Sequence, residues 1–222
     1  MRVTQVAWQA ILQCLTVGQN GQVTPSSSSR SDSFPNVPLV DHFGRSHRFH
    51  DDFIAPGNAV IINSMYTTCR GSCPATSAKL VELRRKLWPV FEKQLTILSF
   101  TLEPQIDTPK VLKQYAELYG VSKPSDRLCS WLFLTGTQQD IERLRHGLIF
   151  YDLNPKVDSD PTQHASLLFY GNSTTDKWAA MPSELPTQAL IESIRRIAGL
   201  NFEQRYGITP DTSRKAIAQA SN

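Results

Sequence analysis

The chain of 222 residues has 40% hydrophobic and 19% charged residues, which is typical of one globular domain with short tails and excludes a disordered chain. A net charge of +3, without a basic run interleaved with aromatic residues, argues against nucleic acid as a partner. Four cysteines are too few for a disulfide scaffold, and only Cys69 and Cys73 stand close together in the sequence.

The first 33 residues combine an apolar, glutamine-containing segment with a linker rich in Gly, Ser, Gln and Asn. The apolar part, from Val3 to Val17, is too short and too polar for a transmembrane helix, which needs about 20 apolar residues. It is compatible with a degenerate signal peptide or with a short amphipathic anchor that tethers the chain to a membrane. We expect the folded domain over residues 34–200 and a polar tail over residues 201–222.

The folded part begins with a predicted β-hairpin over residues 37–53, turned at Gly44. The continuous apolar run at residues 58–67 is typical of a central strand that is covered on both faces. Further strands are predicted over residues 95–102 and 131–136, and a second hairpin, turned at Gly171 and Asn172, over residues 164–182. Helices are predicted over residues 74–87, 104–120, 137–148 and 186–200.

This order of strands and helices predicts a three-layer α/β fold. Parallel central strands, followed by an antiparallel hairpin and a covering helix, are typical of a thioredoxin-like fold with a central mixed sheet, here preceded by an N-terminal β-hairpin. The helix at residues 104–120 has Asp107 or Thr108 as its predicted cap, with Pro109 in its first turn and Gly120 at its end.

The helix that follows the cysteines has an amphipathic pattern, because leucines recur at spacings of three and four residues. Leu80, Leu83 and Leu87 are predicted to be buried. The basic residues mostly on the other side are predicted to face solvent, and they are Lys79, Arg84, Arg85 and Lys86.

The cysteine pair lies in TTCRGSCPATSAKL, residues 67–80, with Cys69 in the loop after the central strand and Cys73 at the start of the helix. Residues four positions apart fall on one helix face, so the two sulfurs can converge. The positive end of the helix and the nearby Arg70 favour the thiolate at both positions. Two convergent thiolates support either a reversible disulfide or a soft-metal site. Cys129, in an apolar strand-like run, is predicted to be a buried core thiol.

A third ligand would favour the metal site, because structural zinc needs four ligands whereas Cu(I) accepts two or three. His42, His47 and His50 lie in the polar N-terminal hairpin, and we expect them on the surface. His146 is expected on a solvated helix face. His164 stands at the entry to the second hairpin, which faces the cysteine loop in a thioredoxin-like sheet. Its imidazole is a candidate third copper ligand, and spacing alone leaves a structural role open.

Thr67, Cys69, Cys73 and Pro74 form the pattern T-x-C-x-x-x-C-P after a central strand, which resembles the Sco/SenC copper chaperones. The segments FTLEPQIDTPKVLKQYAELYG, WLFLTGT and HASLLFYGN are similar to further segments of that family and occur in the same order. The similarity runs from about Phe34 to Leu200.

The resemblance implies a thioredoxin-like domain outside the cytoplasm, periplasmic or membrane-associated, that binds copper through Cys69, Cys73 and His164. It implies a metallochaperone that delivers copper to the dinuclear copper site of cytochrome c oxidase, or reduces the cysteines of that site. The oxidase subunit that carries the copper centre is then the expected partner.

Three departures from the family pattern bear on that role. Glu103 replaces the family's aspartate, Ile106 replaces an arginine, and Gln163 replaces the aspartate that usually precedes the histidine. These changes leave two alternatives open. One is an extracytoplasmic thiol–disulfide oxidoreductase, in which Cys69 attacks and Cys73 resolves. The other is a redox-sensing or partner-binding domain whose cysteine pair only reports oxidation.

Overall fold

A computed structural model describes residues 29–121, 123–158 and 166–207. The predicted signal or anchor segment, the candidate ligand His164, its neighbour Gln163 and the tail beyond residue 207 lie outside the described residues. Within the described part, none of the helices is long and apolar enough to cross a membrane.

Seven strands form one mixed sheet in the order β2-β1-β5-β4-β3-β6-β7. The strands are β1 (Pro38–Asp41), β2 (Ser46–Arg48), β3 (Ala59–Met65), β4 (Leu95–Thr101), β5 (Ser130–Thr135), β6 (Leu167–Asn172) and β7 (Lys177–Pro182). Strands β3, β4 and β5 are parallel in the centre, and antiparallel hairpins form both edges. The predicted mixed sheet with an N-terminal hairpin is therefore confirmed.

Helices cover both faces of the sheet, as a three-layer α/β fold requires. They are α1 (Cys73–Phe91), α2 (Pro109–Leu118), α3 (Gln138–Gly147), α4 (Pro155–Asp158), α5 (Thr187–Ala198) and α6 (Phe202–Tyr206). One core cluster joins α1, α2 and α5 to one face, with Leu80, Leu83 and Leu87 fully buried as predicted. The other cluster joins α3 and the N-terminal hairpin region to the opposite face.

The first hairpin is shorter than predicted. Strand β2 ends at Arg48, and residues Phe49–Ile54 form a π-helical turn instead of continuing the strand to residue 53. Phe49, Phe53 and Ile54 are all buried, which an alternating strand does not allow because successive side chains point to opposite faces. A helical turn places the three apolar side chains on one side.

The turn of the second hairpin also lies later than predicted, at residues 173–176, so Gly171 and Asn172 belong to β6. A Cβ on Gly171 would lie 2.1 Å from the carbonyl oxygen of Lys177 on the paired strand. The glycine is therefore required by close packing between strands rather than by a turn. Asn172 is buried and donates its amide to the carbonyl oxygen of Ala198 at 2.9 Å.

Two segments outside the predicted strands and helices attach to this frame. The backbone N–H groups of Arg30 and Ser31 donate to the carboxylate of Asp176, at 2.6 and 3.0 Å. After α5, the side chain of Asn201 accepts from the backbone N–H of Gln204 and caps α6, and Gln204 is buried. Part of the predicted polar tail is thus a short helix that contacts α5 and α1.

The expectation that Arg84 faces solvent is wrong. Its residue surface is 4% exposed, and its Nε donates to the carbonyl oxygen of Cys129 at 2.6 Å. Arg84 stands four residues after Leu80 and three before Leu87, so helical spacing puts it beside the buried leucines rather than on the opposite face. The hydrogen bond to the carbonyl oxygen of Cys129, the residue before β5, holds the long side chain in the interior.

Candidate functional site

The cysteine loop connects the end of β3 to the start of α1. The backbone N–H of Cys69 donates to the carbonyl oxygen of Tyr66 at 3.2 Å, which turns the chain back toward the helix. Cys73 is the first residue of α1, as predicted, and is 3% exposed. Cys69 lies in the loop rather than on the helix and is half-buried. The turn, not helical spacing, brings the two residues together.

The two sulfurs are in hydrogen-bond contact, with the Cys73 thiol donating to Cys69. Both cysteines are free thiols in this structure. The sulfur atoms therefore converge as the sequence predicts. Cys69 is the partially exposed cysteine of the two, and Cys73 is buried.

The electrostatics of the two thiols differ. Burial raises the pKa of Cys69, but hydrogen bonds from the Cys73 thiol, the backbone N–H groups of Cys73 and Gly71, and the Tyr66 hydroxyl outweigh it. The pKa of Cys69 is consequently lower than that of an ordinary thiol. Its thiolate is the form that these donors stabilise.

Cys73 shows the opposite behaviour. Burial raises its pKa to about 12, and the hydrogen bond it shares with Cys69 acts in the same direction. The expectation that the helix N-terminus favours a thiolate at both positions is therefore wrong for Cys73. Removal from water outweighs the backbone groups at the start of the helix. The pair therefore combines a thiol that ionises more readily than usual with a thiol that keeps its proton and donates a hydrogen bond to the first.

Asp107 fixes the cysteine loop from the neighbouring strand end. Its carboxylate accepts hydrogen bonds from the backbone N–H and the hydroxyl of Thr67 and from the hydroxyl of Thr101, and its side chain is fully buried. Thr67 stands two residues before Cys69. The cap of α2 is Thr108, which accepts from the N–H of Val111, so Asp107 is free for this role.

The sequence predicts Asp107 only as a candidate helix cap and does not predict this contact. The signal that could have found it is topology, because the ends of parallel strands β3 and β4 meet at one edge of the sheet. A second link crosses the same edge, since the hydroxyl of Thr68 donates to the carboxylate of Glu103 at 2.8 Å. The departure at Ile106 leaves an apolar side chain 49% exposed beside these loops.

The histidine expectations have mixed outcomes. His164 lies outside the described residues, and among those described no group of three His, Cys, Asp or Glu side chains could hold a metal ion. His146 is exposed on α3 as predicted. His42 is 2% exposed, so its predicted surface position is wrong. Its ring accepts from the N–H of Phe133 and bonds the carbonyl oxygen of Val121, and burial lowers its pKa.

Comparison with known proteins gives consistent matches. The model of the SCO1/SenC family matches residues 29–199. The SCO1 protein homolog of Bacillus subtilis (strain 168) is 33% identical over 87 residues, which cover 39% of this chain and 42% of that protein. The match therefore spans less than half of this curated relative.

Two solved structures are similar at the level of the fold. Yeast Sco1 with copper bound is 19% identical with a TM-score of 0.56, covering 80% of this chain and 96% of that one. BsSco, described with a disulfide switch and as a member of the Sco family of cytochrome c oxidase assembly proteins, is 21% identical with a TM-score of 0.56. That match covers 76% of this chain and 95% of BsSco. The predicted thioredoxin-like fold is thereby confirmed.

Proposed function

The chain belongs to the SCO1/SenC family, and we propose that it is a copper-binding assembly factor that carries Cu(I) on Cys69 and Cys73. The observation that supports this role best is the contact between the two sulfurs at one edge of the sheet. Two thiolates are soft ligands, which favour Cu(I) over hard ions such as magnesium or calcium. Cys69 is half-buried, so a partner's thiol can reach the ion and take it by ligand exchange.

Copper uptake requires both thiols to lose their protons. Cys69 is the first ligand in this proposal, because its pKa is already lowered by four hydrogen-bond donors. Cys73, with a pKa of about 12 in the metal-free protein, gives up its proton only when the metal replaces it. Metal binding therefore becomes tighter as the pH rises.

His164 is the proposed third ligand. A neutral imidazole is a good ligand for both copper oxidation states and would stabilise Cu(II) where two thiolates alone favour Cu(I). Gln163 beside it is a weaker hydrogen-bond acceptor than the aspartate of the family pattern, so the imidazole is less basic. From this departure we infer that the protein binds Cu(II) more weakly than Cu(I).

The proposed recipient is the dinuclear copper site of cytochrome c oxidase, and the proposed location is outside the cytoplasm. Both follow from the family, whose member BsSco is described among cytochrome c oxidase assembly proteins. The residues that depart from the family pattern, Glu103 and Ile106, lie beside the cysteine loop where a partner would dock.

Copper titration tests the proposal. The reduced protein is titrated with Cu(I) in competition with a chromophoric chelator, and we expect one ion per chain. Cys69→Ser and Cys73→Ser should each weaken binding about 100-fold or more, because each removes one of two thiolates. Cys129→Ser is the matched control, since Cys129 is a buried cysteine whose carbonyl oxygen contacts Arg84, eleven residues after Cys73 on α1. Equal binding by Cys69→Ser and the wild type would refute the proposal.

The third ligand is tested with Cu(II). His164→Ala should weaken Cu(II) binding about tenfold or more while leaving Cu(I) binding within a few-fold of the wild type. His146→Ala is the control, because His146 is exposed on α3. Loss of Cu(II) binding in the control rather than in His164→Ala would remove His164 from the site.

A second function is favoured by the opposite pKa shifts of the two thiols. In thiol–disulfide exchange, the Cys69 thiolate attacks a partner's disulfide, forms a mixed disulfide and releases one partner thiolate. Cys73, after losing its proton, attacks the Cys69 sulfur; the pair becomes a disulfide and the partner leaves as a dithiol. Reduction of an oxidised peptide of the oxidase copper site, abolished by Cys69→Ser, would support this function, and its absence alongside tight Cu(I) binding would exclude it.

A further inference from the structure

A cavity lies at the edge of the sheet opposite the cysteines, where β5 begins. Its volume is about 300 Å³, and it is lined by the turn between β1 and β2, by α1 and by the segment before β5. Arg84 of α1 lines it eleven residues after Cys73, which corresponds to about 16 Å along the helix. The cavity is therefore separate from the proposed copper site.

The charge of Arg84 is buried without a counter-ion in the described part of the chain. The residue is 4% exposed, and its only hydrogen bond there goes from Nε to the carbonyl oxygen of Cys129. No described carboxylate lies within ion-pair distance of it. Burial raises the pKa of the neighbouring Cys129 thiol to about 12, so that thiol is uncharged at neutral pH. A buried, unpaired guanidinium destabilises the fold because its charge has been removed from water, and an anion that joins it offsets that cost.

The other charged side chains around the cavity leave it positive. Arg45 is already paired with Asp41 at 2.8 Å, and Lys93 lies 3.4 Å from Asp126 at the exposed mouth. Lys123 also lines the cavity, and no described carboxylate pairs with it. Two cations, one buried and one exposed, thus face the cavity without an acidic partner among the described residues.

We propose that this cavity binds an oxyanion, the phosphate or carboxylate group of a small ligand, on the guanidinium of Arg84 with Lys123 at the mouth. The Nη groups of Arg84 are not used by the bond to Cys129, and a planar guanidinium binds phosphate and carboxylate through two parallel hydrogen bonds. Phe43, Trp131 and Leu132 give the cavity apolar walls, which suit the organic part of such a ligand.

The test is calorimetric titration of the full chain with inorganic phosphate and, separately, with benzoate, in buffers of matched ionic strength made up with chloride. We expect saturable binding of at least one of the two, and the tighter one identifies the class of ligand. Arg84→Met, which keeps an unbranched apolar stem and removes the guanidinium, should weaken binding about tenfold or more. Lys123→Ala should weaken it a few-fold, and Lys110→Ala, an exposed lysine on α2, should leave it unchanged.

Two further variants keep the outcome decisive. If Arg84→Met does not fold, Arg84→Lys replaces it, since it retains the charge, loses the planar fork and should bind several-fold more weakly. Cys69→Ser should bind phosphate or benzoate as the wild type does, which separates this proposal from the copper proposal. Absence of saturable binding of both probes to the wild type, or equal binding by the Arg84 variant, would overturn the oxyanion site.

Discussion

Two buried charged side chains, at opposite edges of the sheet, differ in how fully their hydrogen-bonding groups are satisfied. Asp107, beside the cysteine loop, has no exposed surface and accepts three hydrogen bonds from two threonines. Arg84, beside the cavity, is almost as deeply buried and makes one hydrogen bond to the described residues, to a carbonyl oxygen. The anion is fully satisfied by neutral donors, whereas the cation keeps unused donors.

This difference indicates different roles. A buried charge whose hydrogen bonds all end within the protein holds the surrounding chain in one arrangement. A buried charge with unused donors beside a cavity is suited to a ligand. The sheet edge beside the cysteines therefore holds the two sulfurs in one arrangement, whereas the edge beside the cavity has donors available for a ligand.

The largest expected effect is the loss of folding stability when the carboxylate of Asp107 is removed. Asp107→Ala leaves the buried Thr101 hydroxyl and the two part-buried Thr67 donors without an acceptor, so the free energy of unfolding should fall by about 3 kcal/mol or more. Urea unfolding measures this change. Glu103→Gln, which keeps an oxygen acceptor for Thr68 at a partly exposed position, should cost less than about 0.5 kcal/mol. Similar losses for both variants would show that Asp107 is not the frame of the loop.

The next largest effect is a difference in alkylation rate between the two cysteines. In the reduced protein at pH 7, iodoacetamide should alkylate Cys69 about tenfold or more faster than Cys73, because the thiolate is the reacting form. As the pH rises, the rate at Cys69 should level off first, while the rate at Cys73 keeps rising toward its pKa of about 12. Peptide mass spectrometry at timed points separates the two. Faster alkylation of Cys73 would reverse the assignment of roles.

A smaller effect is expected from removing the cation. Arg84→Met loses one hydrogen bond but also relieves the cost of a buried unpaired charge, and these contributions oppose each other. In phosphate-free buffer, the free energy of unfolding should stay within about 1 kcal/mol of the wild type. Thermal or urea unfolding provides the measurement. A loss of about 3 kcal/mol in the free energy of unfolding would indicate that Arg84 stabilises the fold as Asp107 does. It would contradict the different roles inferred for the two residues.

An ordinary ion pair should give the smallest effect. The hydrogen bond from Arg145 holds the pKa of Asp158 at about 2, below the ordinary 3.8. Such a lowered pKa stabilises the fold above pH 3.8, and that stability is lost as the pH falls through 2. Asp158→Asn should therefore cost at most about 1 kcal/mol at pH 7 and almost nothing near pH 2. A cost that does not change with pH would indicate that packing, not charge, dominates this contact.

Much of the frame was predictable because its signals are local. The buried central strand, the pattern of leucines in α1 and the threonine cap of α2 each depend on residues within one element. The position of Cys73 at the helix start was predictable for the same reason.

The errors arise where a residue's environment comes from distant parts of the chain. His42 is buried because the backbone of β5 and Val121 supply partners about 80 to 90 positions away. Arg84 turns inward toward a carbonyl 45 positions away, and Asp107 reaches a threonine 40 positions away. Gly171 needs its small size because of the strand paired beside it, which hydropathy does not reveal.

If Cys69 and Cys73 hold copper together, both sulfurs belong to its coordination shell, which X-ray absorption of the Cu(I)-loaded protein measures. We expect two sulfur neighbours and one nitrogen neighbour around a single copper ion. We also expect one sulfur fewer in Cys69→Ser, with no change in Cys129→Ser. A copper ion without sulfur neighbours, or a spectrum that Cys69→Ser leaves unchanged, would show that the two cysteines do not bind copper together.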